Sequence, residues 1–191
     1  VHAGASLLSC DAAIVGCLES RRRDADAALD NNDWEMLPID AAGLGAPSSA
    51  ALVEIPEGST VRFAGLYWSG ITPTDADMTD LSSAILAAPG GAAVPITAQL
   101  VEQQGARYLS FLDVTSQVAA GGTGTWSFGG SAVTGGFGAD AGWSLVIVLD
   151  DAALSPTRVA VFDGLQIIST GTSATYQLPS VAGGSATVGV V

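Results

Sequence analysis

Lysine is missing from this sequence and histidine is nearly so: among 191 residues every positive side chain is one of six arginines, and the single histidine is His2. Without a lysine ammonium there is no Schiff base, no phosphate-loop lysine and no lysine-to-asparagine isopeptide crosslink. A lone histidine next to the start, where chains fray, argues against a catalytic triad and against a multi-histidine metal site. Cysteine stops at two, Cys10 and Cys17, spaced too widely for a Cys-x-x-Cys redox motif and without partner ligands for zinc. Long apolar runs are also absent. Residues 145–149 form the longest candidate, of strand length and far short of the roughly 18 residues that cross a bilayer. Charge is one-sided, with 6 positive against 19 acidic side chains and a net of −13. Such a balance repels phosphates and anionic lipid, so neither nucleic-acid binding nor membrane insertion is expected. Even the arginine run at 21–23 is embedded among Asp24, Asp26, Asp30 and Asp33.

What is present is apolar and glycine-rich. A composition that is 48% hydrophobic with 24 glycines excludes a disordered acidic tail. The length suits a single domain over 1–191 that buries its own core. The apolar segments are short, rich in Val, Ile, Thr and aromatics, and punctuated by Gly and Pro, which is the pattern of an all-β chain. Strands are predicted over 34–39, 50–55, 60–68, 83–87, 94–101, 107–112, 124–128, 143–149, 158–162, 165–169, 174–178 and 186–191. About a dozen short strands point to a β-sandwich, of jelly-roll type, with one or two short helical turns. Strand 143–149 is apolar on both alternating sets and so should be central, covered on both faces. Strand 60–68 should pass from the sheet margin into the core. The strand ahead of Glu54, Pro56 and Glu57 should lie near an edge, because proline cannot donate to a ladder. Helical turns are expected within 10–23, with Asp11 as N-cap, and from Asp113 onward.

Cys10 and Cys17 read most simply as a local disulfide tying an N-terminal loop over 1–33, which fits an oxidising, extracellular setting; two buried free thiols are the alternative. The chain starts without Met, which leaves a processed, secreted origin open. It ends on apolar β-formers at 186–191 with no polar stop. Either the parent polypeptide continues beyond a strand truncated there, or that strand pairs with a neighbouring copy.

Few residues suggest chemistry. Asp75, Asp77 and Asp80 resemble the opening of a calcium loop but lack the glycine and closing glutamate of an EF-hand, leaving a non-EF calcium site beside the plainer reading of a solvated acidic loop. Trp126 and Phe137, in glycine-rich surroundings, are candidate ligand-stacking aromatics at loop tips, against the alternative of local packing. Glu35 and Glu102 are the least implausible members of a glycosidase pair, but no sequence spacing establishes the required separation. No catalytic residue is assigned. Asp140 and Asp163 are expected to pair with Arg62 or Arg158 as structural ties.

Three segments in order, GSTVRFAGLYW at 58–68, GADAGWSLVIV at 138–148 and VAVFDGL at 159–165, together resemble the N-terminal domain of large bacterial surface proteins that precede arrays of immunoglobulin-like repeats. The cysteine segment followed by Asn31, Asn32 and Asp33 is similar to the opening of that domain. The resemblance spans most of the chain and implies a secreted or wall-associated protein with adhesive or structural work, with no catalytic residues to carry over. Three functions follow as expectations. The first is a non-enzymatic surface adhesin module binding a host or environmental glycan or protein. The second is a filament subunit that joins neighbouring copies by strand addition. The third is a carbohydrate-binding or carbohydrate-hydrolysing jelly roll. No cofactor is expected apart from calcium at the acidic loop.

Overall fold

A computed structural model describes residues 1–17, 33–153, 158–168, 171 and 173–176. The strand predicted over 186–191, the arginine run at 21–23, Asp24, Asp26, Asp30 and the end of the strand over 174–178 lie outside the described residues.

The protein is all-β, with antiparallel sheets stacked as a sandwich and no barrel. Its strands are β1 (His2–Ser6), β2 (Leu8–Cys10), β3 (Glu35–Pro38), β4 (Ser48–Val53), β5 (Thr60–Ile71), β6 (Ser83–Ala87), β7 (Val94–Thr97), β8 (Leu100–Gln104), β9 (Arg107–Asp113), β10 (Gly124–Gly129), β11 (Gly136–Phe137) and β12 (Ala141–Asp150). Among the described residues two short helices interrupt them, α1 (Met78–Ser82) and α2 (Thr115–Gly121). A five-stranded sheet in the order β1-β12-β5-β9-β8 faces a four-stranded sheet in the order β4-β10-β6-β7, and a three-stranded sheet, β11-β3-β2, forms a satellite.

Side-chain alternation builds the sandwich. Ala64, Leu66 and Trp68 of β5 and Trp143, Leu145 and Ile147 of β12 turn inward, in register with Trp68 opposite Trp143. From the opposing sheet come Val53, Leu86, Trp126 and Phe128. Phe128 lies between two tryptophans, its ring centroid 5.6 Å from Trp68 and 5.7 Å from Trp143. The indole N–H groups do not go unpaired inside this core: Trp68 Nε1 donates to the Leu81 carbonyl at 3.2 Å and Trp143 Nε1 to Ser49 Oγ at 2.9 Å. That last bond crosses between the sheets and fixes their relative position.

Several expectations hold. Strand β12 is interior to its sheet, although only its inward face is fully buried and Val146 and Val148 on the other face are half-covered. Strand β5 begins exposed at Thr60 and becomes buried from Ala64 through Trp68, as its pattern required. Strand β4, ahead of Glu54 and Pro56, is an edge. The predicted turn after Asp113 is α2, with Asp113 Oδ1 accepting from the Thr115 N–H at 2.9 Å.

Four expectations are corrected. The single strand predicted over 94–101 is two, because the chain changes sheets at Ala98 and Gln99: the Ala98 N–H donates to Ser82, and the Gln99 N–H donates to Phe111 in the opposite sheet. The N-terminal region is not one loop. Its first residues pair with β12 as β1, a strand too poor in large apolar residues to be visible by pattern. Small residues are what this pairing needs, since a Cβ on Gly4 would meet the Trp143 carbonyl oxygen at 2.4 Å. Residues 158–168, predicted as two strands, join no ladder. Lastly, Asp140 pairs with Arg107 and Arg62 with Asp150, while Asp163 is held by Tyr67. Arg62 reaches Asp150 because it is the extra residue of a β-bulge, where Val148 pairs with Phe63 and Leu149 with Val61.

Candidate functional site

The cysteines are joined. Cys10 ends β2, Cys17 is fully buried, and the Cys10–Cys17 disulfide packs with Trp34 and Met36 as a small core separate from that of the sandwich. The intervening loop starts as an Asp11 turn, in which Asp11 Oδ1 accepts from the Ala13 N–H at 2.9 Å, and presents Val15 at 94% exposure.

The two candidate aromatics are not brought together. Trp126 is fully buried in β10, packed in the sandwich core with its Nε1 donating to the Gly122 carbonyl at 3.2 Å, so the expectation of an exposed loop tip is corrected. Trp126 and Phe128 occupy the inward positions of that strand, and the glycines mark its boundaries without making it a loop. Phe137 is 71% exposed on β11 in the satellite sheet.

The acidic segment is a helix start. Asp77 is the N-cap of α1, its Oδ1 accepting from the Thr79 N–H at 2.7 Å and the Asp80 N–H at 3.1 Å, while Asp80 Oδ2 accepts from the Asp77 N–H at 3.0 Å. This reciprocal arrangement is a capping box. The two backbone donors hold the Asp77 carboxyl below its ordinary range. Asp75 and Asp80 line a concavity of about 340 Å³ beside α1. Among the described residues no group of three or more His, Cys, Asp or Glu side chains converges to hold a metal. Of the two glutamates considered, Glu35 is exposed on β3 and Glu102 accepts from the Leu165 N–H at 2.8 Å.

A second concavity lies on the outer face of the five-stranded sheet. Phe63, Tyr67, Phe111 and Val148 line a groove of about 410 Å³, completed by Val159, Val161 and Asp163 of the segment that follows β12. Register puts the four sheet residues on one face: Phe63 is opposite Val148, and Tyr67 is opposite Phe111. Tyr67 and Phe111 rings approach to 5.1 Å. Gly65 permits this crowding, because a Cβ there would meet Tyr67 at 2.8 Å and Phe63 at 2.9 Å. Tyr67 Oη donates to Asp163 Oδ2 at 3.0 Å. Burial, then the adjacent Asp163 carboxylate, pushes the phenol well above its ordinary range, so it remains a neutral donor.

Sequence reasoning missed this groove for an identifiable reason. Phe63, Tyr67 and Val148 read in sequence as core residues of their strands, and only the pairing of β5 with β9 and β12 puts them on one outward face. Chemically the groove offers aromatic and aliphatic surface with one phenol-carboxylate pair, which suits recognition of an extended apolar segment. No family model matches this chain, and no curated protein or solved structure is detectably similar to it. No helix among the described residues is long and apolar enough to cross a membrane.

Proposed function

We propose that this chain is an extracellular module of a bacterial surface protein, of the kind its sequence resembles, and that it works by binding and not by catalysis. The observation that carries this reading is the Cys10–Cys17 disulfide at the centre of a satellite core. A cross-link of this kind persists in oxidising compartments and is rare in reducing cytosol. A second support is the outer-face groove, whose aromatic and aliphatic lining suits recognition of an apolar segment. The partner is a glycan or protein of the host or environment, or a neighbouring copy.

Native protein from its own cells, alkylated before and after reduction and weighed, should gain two alkyl groups only after reduction. It should also be reached by antibody on intact cells. Recovery in the cytoplasm with both thiols alkylated directly would overturn the proposal.

The filament reading is favoured by a specific feature: β8 is an edge strand of the five-stranded sheet, with Leu100 exposed. The carbohydrate reading rests on exposed Phe137 and is tested by a glycan array with Phe137→Ala as control.

A further inference from the structure

Residues 158–168 cross the outer face of the five-stranded sheet without joining a ladder, and within them Asp163 and Gly164 form the one Asp-Gly dipeptide of the chain. An aspartate before glycine is chemically labile, because no side chain on the glycine hinders attack of its backbone nitrogen on the aspartate carboxyl carbon. Three features leave that reaction open here. Both residues are exposed. The Gly164 N–H has no hydrogen-bond partner among the described residues, so its nitrogen is free to react. Gly164 also has a φ of 148°, backbone that favours glycine, so the path of the segment itself selects the unhindered residue.

The same dipeptide is where the segment is latched down. Asp163 Oδ2 accepts from Tyr67 Oη at 3.0 Å. Just beyond it the Leu165 N–H donates to Glu102 Oε2 at 2.8 Å, and the Ile167 N–H donates to Gln104 Oε1 at 3.1 Å. Just before it Val159 and Val161 line the groove, but Val159 and Phe162 remain 56% and 61% exposed, so packing holds the segment only in part. We propose that Asp163–Gly164 is a self-modification site, at which isomerisation to isoaspartate unlatches the segment from Tyr67 and β8 and uncovers the groove lined by Phe63, Tyr67, Phe111 and Val148. As a control of recognition this rests on the reading of that groove as a binding surface.

The chemistry needs only water. The Gly164 nitrogen bonds to Cγ of the protonated Asp163 carboxyl, whose hydroxyl leaves with the proton of that nitrogen as water, and a five-membered succinimide closes. Water then adds to the ring carbonyl that had been the Asp163 main-chain carbonyl, and the bond from that carbon to the Gly164 nitrogen breaks. The main chain now runs through Cβ and Cγ, and the new carboxylate sits directly on Cα. One water is lost and one gained, so mass is unchanged. The main chain is longer by one carbon between the Tyr67 latch and the β8 latches, and the carboxylate is shorter by one. Asp163 therefore draws back from Tyr67, and the pairing of 165 with 102 and 167 with 104 loses its register.

The full chain with its disulfide intact, kept for weeks in warm neutral buffer, is digested with a protease that cuts before aspartate and not before isoaspartate. Resistance before residue 163 should accumulate about tenfold faster than before Asp113, whose next residue is β-branched Val114. Fragment masses should place the change at 163, with a minor species lighter by one water. Asp163→Glu, whose ring would have six members, should abolish it, and Asp163→Asn should hasten it by losing ammonia in place of water. In the isomerised fraction, separated by chromatography, the Leu165 and Ile167 amides should exchange about tenfold faster, with those of β5 and β12 unchanged. Isoaspartate at 163 no more abundant than at 113 overturns the proposal, as does an isomerised fraction whose Leu165 and Ile167 amides exchange at the unmodified rate. Either failure leaves the extracellular binding reading standing, since that is judged on thiol state and cell-surface exposure.

Discussion

The sandwich body and the N-terminal satellite reach stability by different means. In the body, two sheets bury Trp68, Trp126, Phe128, Tyr108 and a shell of aliphatic residues almost completely. Each large side chain so buried contributes roughly 1.5–3 kcal/mol, and the area scales with the two facing sheets. The satellite has three short strands, the longest of four residues, and its separate core is only Cys10, Cys17 and Trp34 with Met36 against it. Too little apolar surface is available there to offset the entropy of ordering the chain. A covalent link takes the place of packing. The comparison teaches that the disulfide belongs to the part of the molecule least able to hold itself, while the body packs around a core of its own.

The sharpest way to break the body is Phe128→Ala, which empties the space between Trp68 and Trp143. A loss of about 3–5 kcal/mol is expected in urea unfolding. A loss under about 1 kcal/mol would mean that the two sheets are not one cooperative core. Cys10→Ser with Cys17→Ser should do the reverse, costing about 2 kcal/mol for opening so short a loop. Hydrogen exchange should locate that loss at β2 and β3, with the amides of β5 and β12 unchanged. Equal acceleration in both regions would erase the distinction between them.

Alkaline pH tests the body from within. Burial pushes the Tyr108 phenol up to about 12, and its Oη donates to the Ala132 carbonyl at 2.8 Å. The folded value lies above the unfolded one of about 10, so the neutral form is preferred in the folded state. The associated stability is complete below about pH 10 and is lost as pH rises toward 12, by about 2 kcal/mol. In Tyr108→Phe this part of the alkaline decline should be missing from melting curves. The smallest effect is expected at the exposed cap of α1. Asp77→Ala should lower Tm slightly at pH 7, while Asp77→Asn, which caps as well, should not. The carboxyl is held below its unfolded value, so its contribution is present above about pH 4 and lost as pH falls through the folded value. The gap between wild type and Asp77→Ala should therefore close in acid.

Much of the fold was legible before any coordinates. Strands β5, β6, β9, β10 and β12 carry strong β-formers between glycine and proline punctuation, and the sequence placed them within a few residues. Strands β1 and β2 escaped notice because HAGAS and LSC have no apolar period, and their pairing depends on partners β12 and β3, distant along the chain. Of the candidate site residues, Cys10 and Cys17 were identified by number and spacing. Trp126 was misplaced because its glycine neighbours suggested exposure at a tip, although the strand predicted over 124–128 already contains it and buries it at an inward position. The role of Asp77 and Asp80 was local and readable in retrospect: an acidic residue followed three positions later by another, ahead of Leu81, is a helix start.

What the sequence determined by itself are the properties that need no partner at a distance: the all-β class, the acidic charge, the absence of lysine and a cysteine spacing that suits a local disulfide. Tertiary structure alone decided which face each apolar residue serves. A strand has two faces, and an apolar residue looks the same in sequence whether it turns toward the opposing sheet or outward. Only the pairing of β5 with β9 and β12, and the passage of residues 158–168 above them, made Phe63, Tyr67, Phe111 and Val148 a surface.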